Sequence, residues 1–155
     1  MKIQKRKPEN TLDLGSKEKS SDLRAFIDTN IFLYAIELHP EFGKKSEEIL
    51  RMVDEGVVFG IISSLVLMEM CWYLESRGKL DELMEAVEVV ERSRIEVIEV
   101  TGDDVSKATE WKTMYSGVDL NDLVNYCIMN RLNLRDIFTN DSHFQQLPDI
   151  TPHFT

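Results

Sequence analysis

Residues 57–74 read Val57-Val58-Phe59-Gly60-Ile61-Ile62-Ser63-Ser64-Leu65-Val66-Leu67-Met68-Glu69-Met70-Cys71-Trp72-Tyr73-Leu74, eighteen residues with a single charge at Glu69. As one helix this stretch approaches the length of a membrane span. Against that, an acid deep in a span costs about 2.5–3.5 kcal/mol, and Gly60, Ser63 and Ser64 interrupt the apolar run. The stretch divides better into two elements. Val57 to Ile62 is β-branched and strand-like. Ser63 or Ser64 then caps a helix running to Arg77, which Gly78 ends. A strand feeding directly into a helix is the repeating unit of parallel α/β proteins.

Working outward, the same alternation recurs. Ala25 to Asp28 reads as a short buried strand, followed by helices over Thr29–Leu38 and Phe42–Asp54. After residues 57–77 comes an amphipathic helix, Leu80–Arg92. Its expected apolar stripe is Leu80, Leu83, Met84, Val87 and Val90, with Glu82, Glu85, Glu88 and Glu91 outside it. Ile95–Val100 is a third strand. Thr101 with Asp104 three residues on starts another helix, with Val105, Ala108, Trp111 and Tyr115 as its inner face. Leu120–Leu132 is a further helix, Asp136–Thr139 a fourth strand, and residues 150–154 an edge strand. The expected architecture is a parallel sheet with helices on both faces, its site at the carboxyl ends of the strands.

The chain has 155 residues, a length that suits one domain. Residues 1–22 are polar and basic and read as a flexible extension, leaving 23–155 as the folded unit. The whole chain carries −10, yet residues 1–20 carry +3, so the remaining body carries −13. Such an acidic body argues against broad, non-specific binding to a nucleic-acid backbone. It leaves room for a local basic groove, with Lys44, Lys45, Arg51, Arg77 and Lys79 as candidates. Cys71 and Cys127 read as reduced core thiols, and His39, His143 and His153 lack zinc-ligand spacing. The expected setting is cytoplasmic, with no membrane anchor.

Four carboxylates sit beside apolar stretches, where charge is costly without cations or donors. Asp28 closes the run Ala25-Phe26-Ile27, and Asp141 follows Ile137-Phe138-Thr139-Asn140. Each reads equally as a cap or turn residue. Asn30 is placed to cap a helix or to orient a ligand. Glu69 has Leu65, Val66, Trp72 and Tyr73 as its helical neighbours, so no solvated side is evident. Its bland alternative is a pairing with a distant Lys or Arg. Asp122 lies roughly opposite the expected core stripe Leu120, Leu123, Val124, Cys127 and Ile128, with Tyr126 and Met129 on its own side, and Asp119 is the natural N-cap ahead of it. A solvated first turn is the plain reading there.

Four segments together resemble the PIN-domain family of metal-dependent ribonucleases. They are Phe26-Ile27-Asp28-Thr29-Asn30, Met68-Glu69-Met70, Asp119-Leu120-Asn121-Asp122 and Phe138-Thr139-Asn140-Asp141-Ser142-His143-Phe144. The resemblance spans roughly residues 24–147. It implies a three-layer α/β/α sandwich around a mostly parallel sheet of four to five strands. It implies Asp28, Glu69, Asp122 and Asp141 as the catalytic acids, with Asn30, Asp119 and Asn140 auxiliary. Asp28, Asp122 and Asp141 would hold one or two Mg2+ or Mn2+ ions, and Glu69 would orient water. The implied substrate is RNA, single-stranded for preference. Many relatives are VapC-type toxins, which implies an antitoxin partner and a homodimer. Such toxins begin almost at the first strand, whereas here more than twenty residues precede it. A PIN-like module that binds RNA or protein without cleavage is the alternative. A receiver domain would need further acids near Asp28, and a haloacid-dehalogenase-type phosphatase an Asp where Asn30 stands.

Overall fold

The computed structural model describes residues 23–154. The extension at 1–22 lies outside the described residues. Five strands form one sheet: β1 (Leu23–Ile27), β2 (Val58–Ser63), β3 (Glu96–Ile98), β4 (Asp136–Phe138) and β5 (Thr151–His153). Their order is β3-β2-β1-β4-β5 and every neighbouring pair is parallel. Helices α1 (Thr29–Ile36) and α2 (Gly43–Asp54) join β1 to β2, and α3 (Ser64–Ser76) and α4 (Leu80–Arg92) join β2 to β3. The chain then returns across the sheet through α5 (Gly102–Trp111) and α6 (Leu120–Arg131) to β4. Right-handed crossovers place the two groups of helices on opposite faces. The stretch 57–74 is indeed a strand and a helix, and no described helix is long and apolar enough to cross a membrane.

The central strands are apolar on both faces because both are covered. Ala25, Phe26, Ile27, Ile61, Ile62 and Ile137 are wholly buried. Gly60 permits the closest helix–sheet approach: a Cβ there would lie 2.9 Å from Ile27 Cδ1 and 3.0 Å from Val53 Cγ1. Ser63 is the N-cap of α3, its hydroxyl accepting from Val66 N at 3.1 Å. The same hydroxyl donates to Asn125 Oδ1 on α6 at 2.6 Å, tying the two helical layers through the core.

Three sequence expectations change. In α4 the buried residues are Ala86 and Val90, while Leu80 and Met84 face solvent. The helix rests on its neighbours by a narrower stripe, with α3 its main packing partner among the helices. Val105 is exposed on α5, whose buried positions are Asp104 and Ala108. Helix α6 is buried continuously from Leu123 to Met129, so it has no single core stripe.

The strand order reverses between β1 and β4. Chain leaving β1 turns toward β2, and the connection into β4 arrives from the other side. A crevice at the carboxyl ends of two such strands is the usual ligand position in open α/β sheets. Asp28 and Asp141 follow those two strands, and Asp28 N donates to Phe138 O at 3.0 Å across the junction.

Candidate active site

Asp28, Glu69, Asp122 and Asp141 line one cleft of about 430 Å3, together with Thr29, Asn30, Leu33, Trp72, Tyr73 and Ser76. A larger groove of about 760 Å3 lies elsewhere, between α2 and α4, and none of the four acids lines it. The four acids are supported very differently.

Asp28 is buried and fully engaged. Its Oδ1 accepts from Thr29 N at 2.8 Å, capping α1. Its Oδ2 accepts from Asn30 Nδ2 at 2.8 Å and Thr139 Oγ1 at 2.6 Å. Capping and site roles thus coincide in one side chain. Burial nevertheless pushes its pKa up to about 6, against the lowering effect of these donors.

Glu69 meets no Lys or Arg. Thr29 Oγ1 donates to its Oε2 at 2.7 Å, and Asn121 Nδ2 donates to its Oε1 at 2.6 Å. The helix around it is not enclosed on every side: Met68 is 62% and Trp72 71% exposed. Asp141 caps the 3-10 turn Ser142–Gln146, with its Oδ1 accepting from His143 N at 2.8 Å. Its own N–H donates to Thr139 Oγ1 at 2.9 Å, so Thr139 joins the two strand ends. Asn140 binds both neighbours of the cleft, its N–H to Asn30 Oδ1 at 3.4 Å and its Nδ2 to Tyr34 Oη at 3.3 Å.

Asp122 stands apart. Among the described residues no donor reaches its carboxylate, and its pKa is pushed up to about 8. Burial is the main cause, and the charges of Asp28, Asp141, Asp119 and Glu69 add to it. Asp119 is the N-cap position of α6 but makes no side-chain capping bond. Instead, Asp119, Asp122 and His143 bring potential ligand atoms within 4.8 Å of one another. His143 joins this group through a contact that spacing could not foretell, since the loop after β4 carries it to α6. Its Nδ1 lies 3.0 Å from Asp141 Oδ1 without hydrogen-bond alignment.

The donor set is oxygen-rich and short of cations. No Lys or Arg among the described residues forms an ion pair with any of the four acids. Hard divalent cations such as Mg2+ and Mn2+ prefer such carboxylates. The acidic cluster fits such a cation: no donor or cation among the described residues meets Asp122. Of the basic residues considered, Arg77 and Lys79 are tied to Tyr73 of the cleft wall, one directly and one through Glu37. Arg77 stacks 3.5 Å from the Tyr73 ring centroid, and Lys79 pairs with Glu37 at 3.1 Å. Arg51 lines the other groove, and Lys45 is bound to the Phe154 carbonyl.

Several solved structures share this fold. VapC20 of Mycobacterium tuberculosis, described as a Sarcin-Ricin loop cleaving toxin, aligns with TM-score 0.70 and 16% identity, covering 81% of this chain and 96% of that one. VapBC2 of Rickettsia felis, bound to a promoter DNA fragment, aligns with TM-score 0.66 and 21% identity over 84% and 98%. DNA-bound VapBC of Salmonella typhimurium gives 0.64 and 20% over 84% and 97%. No curated protein matches the chain. The family model for the PIN domain matches residues 25–150. With the five-stranded parallel sheet and the carboxylate cleft, this match shows that the chain belongs to the PIN-domain family.

Proposed function

We propose that this protein is a divalent-metal-dependent ribonuclease that hydrolyses RNA phosphodiester bonds at the cleft of Asp28, Glu69, Asp122 and Asp141. The observation that carries this reading is Asp122: a largely buried carboxylate with no donor, surrounded by other acids. A site built this way is complete only with cations. Asp28, Asp122 and Asp141 would hold one or two Mg2+ or Mn2+ ions, with Asp119 and His143 close enough to assist. When bound, the cation neutralises phosphate charge and makes an attacking water more acidic.

The remaining work falls to the chain. Asn30 and Thr139 fix Asp28 at the carboxyl end of β1. Asn140 and Tyr34 fix the β4 loop that carries Asp141. Glu69, already accepting from two neutral donors, would orient a water and take its proton. Trp72 and Tyr73 line the cleft, with Arg77 stacked on Tyr73, and an unpaired strand could lay its backbone there and stack a base. That favours single-stranded RNA.

The VapBC assemblies among the similar structures support a toxin role with an antitoxin partner. The groove between α2 and α4 offers an apolar floor of Phe32, Leu50, Val53 and Val89, with Asp54, Glu82, Glu85 and Glu88 outnumbering Arg51 and Arg92 at its rim. An amphipathic antitoxin helix with basic flanks is its natural occupant. A homodimer belongs to the same reading, as the assembly that the family resemblance implies.

Cleavage of defined single-stranded RNAs with Mn2+, by wild type and Asp28→Asn, tests the activity. Mn2+-dependent cleavage by wild type, lost in the variant, is expected. No cleavage by wild type, or equal cleavage by both, overturns the reading.

A further inference from the structure

The two hydrogen bonds on Glu69 converge from different parts of the chain. Thr29 opens α1, and Asn121 sits in the first turn of α6, 52 residues beyond Glu69. Each takes a different oxygen. Both donors are neutral and neither can give up its proton, so Glu69 is held as an acceptor. An ionised carboxylate oxygen has two acceptor sites, which leaves one free on each side. The Asn121 amide must face Glu69 through nitrogen, because its oxygen would meet a carboxylate lone pair. Asn121 is exposed and contributes nothing to the core, so the fold gives it no other evident task.

We infer that Asn121, with Thr29, is a positioning residue that clamps Glu69 and aims its remaining lone pairs for work on water. The clamp divides labour among the four acids. Asp122 and Asp141 keep free oxygens for the cation, whereas Glu69 is tied from both sides to elements that also carry Asp28 and Asp122. Each oxygen of Glu69 keeps one lone pair, and the two bonds at 2.6 and 2.7 Å fix where those lone pairs point. Neighbouring donors of this kind orient functional groups, and losing one typically costs about 10- to 100-fold.

The kinetic side rests on the ribonuclease reading, while the geometric side does not, so two measurements separate them. In the first, the Asn121 side-chain amide is followed by NMR as Mg2+ is added. A strongly hydrogen-bonded amide peak that persists at saturation, and moves in Glu69→Ala, is expected. A peak that loses its hydrogen-bond signature on Mg2+ addition, or ignores Glu69→Ala, overturns the clamp whether or not the protein cleaves RNA.

In the second, cleavage and Mn2+ affinity are compared among variants. Asn121→Ala and Thr29→Val should lower kcat by about 10-fold or more, with Mn2+ affinity within about twofold. Thr29→Ser, which keeps the hydroxyl, should retain most activity. In a Glu69→Gln background, Asn121→Ala should add less than about twofold, because residues acting through one group are not additive. Full additivity, or a loss of Mn2+ affinity as large as in Asp122→Asn, contradicts the inference. Absence of metal-dependent cleavage by wild type would remove the ribonuclease reading and leave the NMR result to judge the clamp.

Discussion

Two neighbouring helices carry an aspartate at the same place, the third residue of the first turn. Asp104 holds it in α5 and Asp122 in α6. Asp104 forms a capping box with Thr101 and also accepts from Arg131 Nε and a terminal guanidinium nitrogen, at 3.2 and 3.0 Å. These partners outweigh its burial and hold its pKa below the usual carboxylate range. Asp122 has the same helix dipole behind it, yet burial and four surrounding acids push it up to about 8. Position on a helix therefore does not decide what a carboxylate does. Asp104 finds its partners within the chain, whereas Asp122 finds none among the described residues.

The largest expected difference between the two is in activity. Asp122→Asn should reduce metal-dependent RNA cleavage by about 100-fold or more, and Asp104→Asn by less than about threefold. Stability should respond the other way. Asp104→Asn leaves Arg131 half-paired and should cost about 2 kcal/mol, discounted because the guanidinium is partly exposed. Chemical denaturation measures this.

A second difference lies in pH dependence, read by melting without divalent metal. Asp122 has a folded pKa raised far above its unfolded value near 3.8. Between about pH 4 and 8 the unfolded chain releases that proton first, so stability falls as pH rises. Asp28 adds to the same slope up to about pH 6. Asp104, being lowered, works in reverse: its contribution is present above the ordinary aspartate range and is lost as pH falls below it. Asp122→Asn should flatten the first slope, and Asp104→Asn should weaken the second.

A smaller effect follows for the metal-free protein at pH 7.5. Replacing an unsatisfied acid with a neutral side chain should raise stability by about 1 kcal/mol, or about 3 °C in Tm. The smallest effect is expected at Asp119. It is exposed and makes no capping bond, so Asp119→Ala should change cleavage by less than about threefold and Tm by less than about 2 °C. A large loss there would move Asp119 from an assisting place to the centre of the cation site.

The sheet was legible because each strand that matters is apolar and flows into a capped helix. Ser63 and Thr101 cap as their spacing foretells, and the strand boundaries fall within one or two residues of expectation. The exposure of Leu80 and Met84 was not legible, since an amphipathic stripe does not say how much of it a neighbour covers. Asp28 and Asp141 were recognisable at strand ends, although their capping bonds look identical to ordinary turn chemistry. Asp122 was the hardest of the four to read. On a helical wheel it faces away from the core stripe, but Tyr126 and Met129 on that side are buried and Asp122 itself is half-buried. The roles of Asn121, Thr139 and His143 depend on contacts between distant segments, which no local spacing encodes.

The central claim is that Asp122 is left without a partner because a divalent cation supplies one. Thermal melting at pH 7.5 with and without Mn2+, on wild type and Asp122→Asn, tests it most directly. The expected result is a Tm of the wild type that rises with Mn2+ concentration and a variant that barely responds. A wild type indifferent to Mn2+, or a variant stabilised as strongly as the wild type, would contradict it.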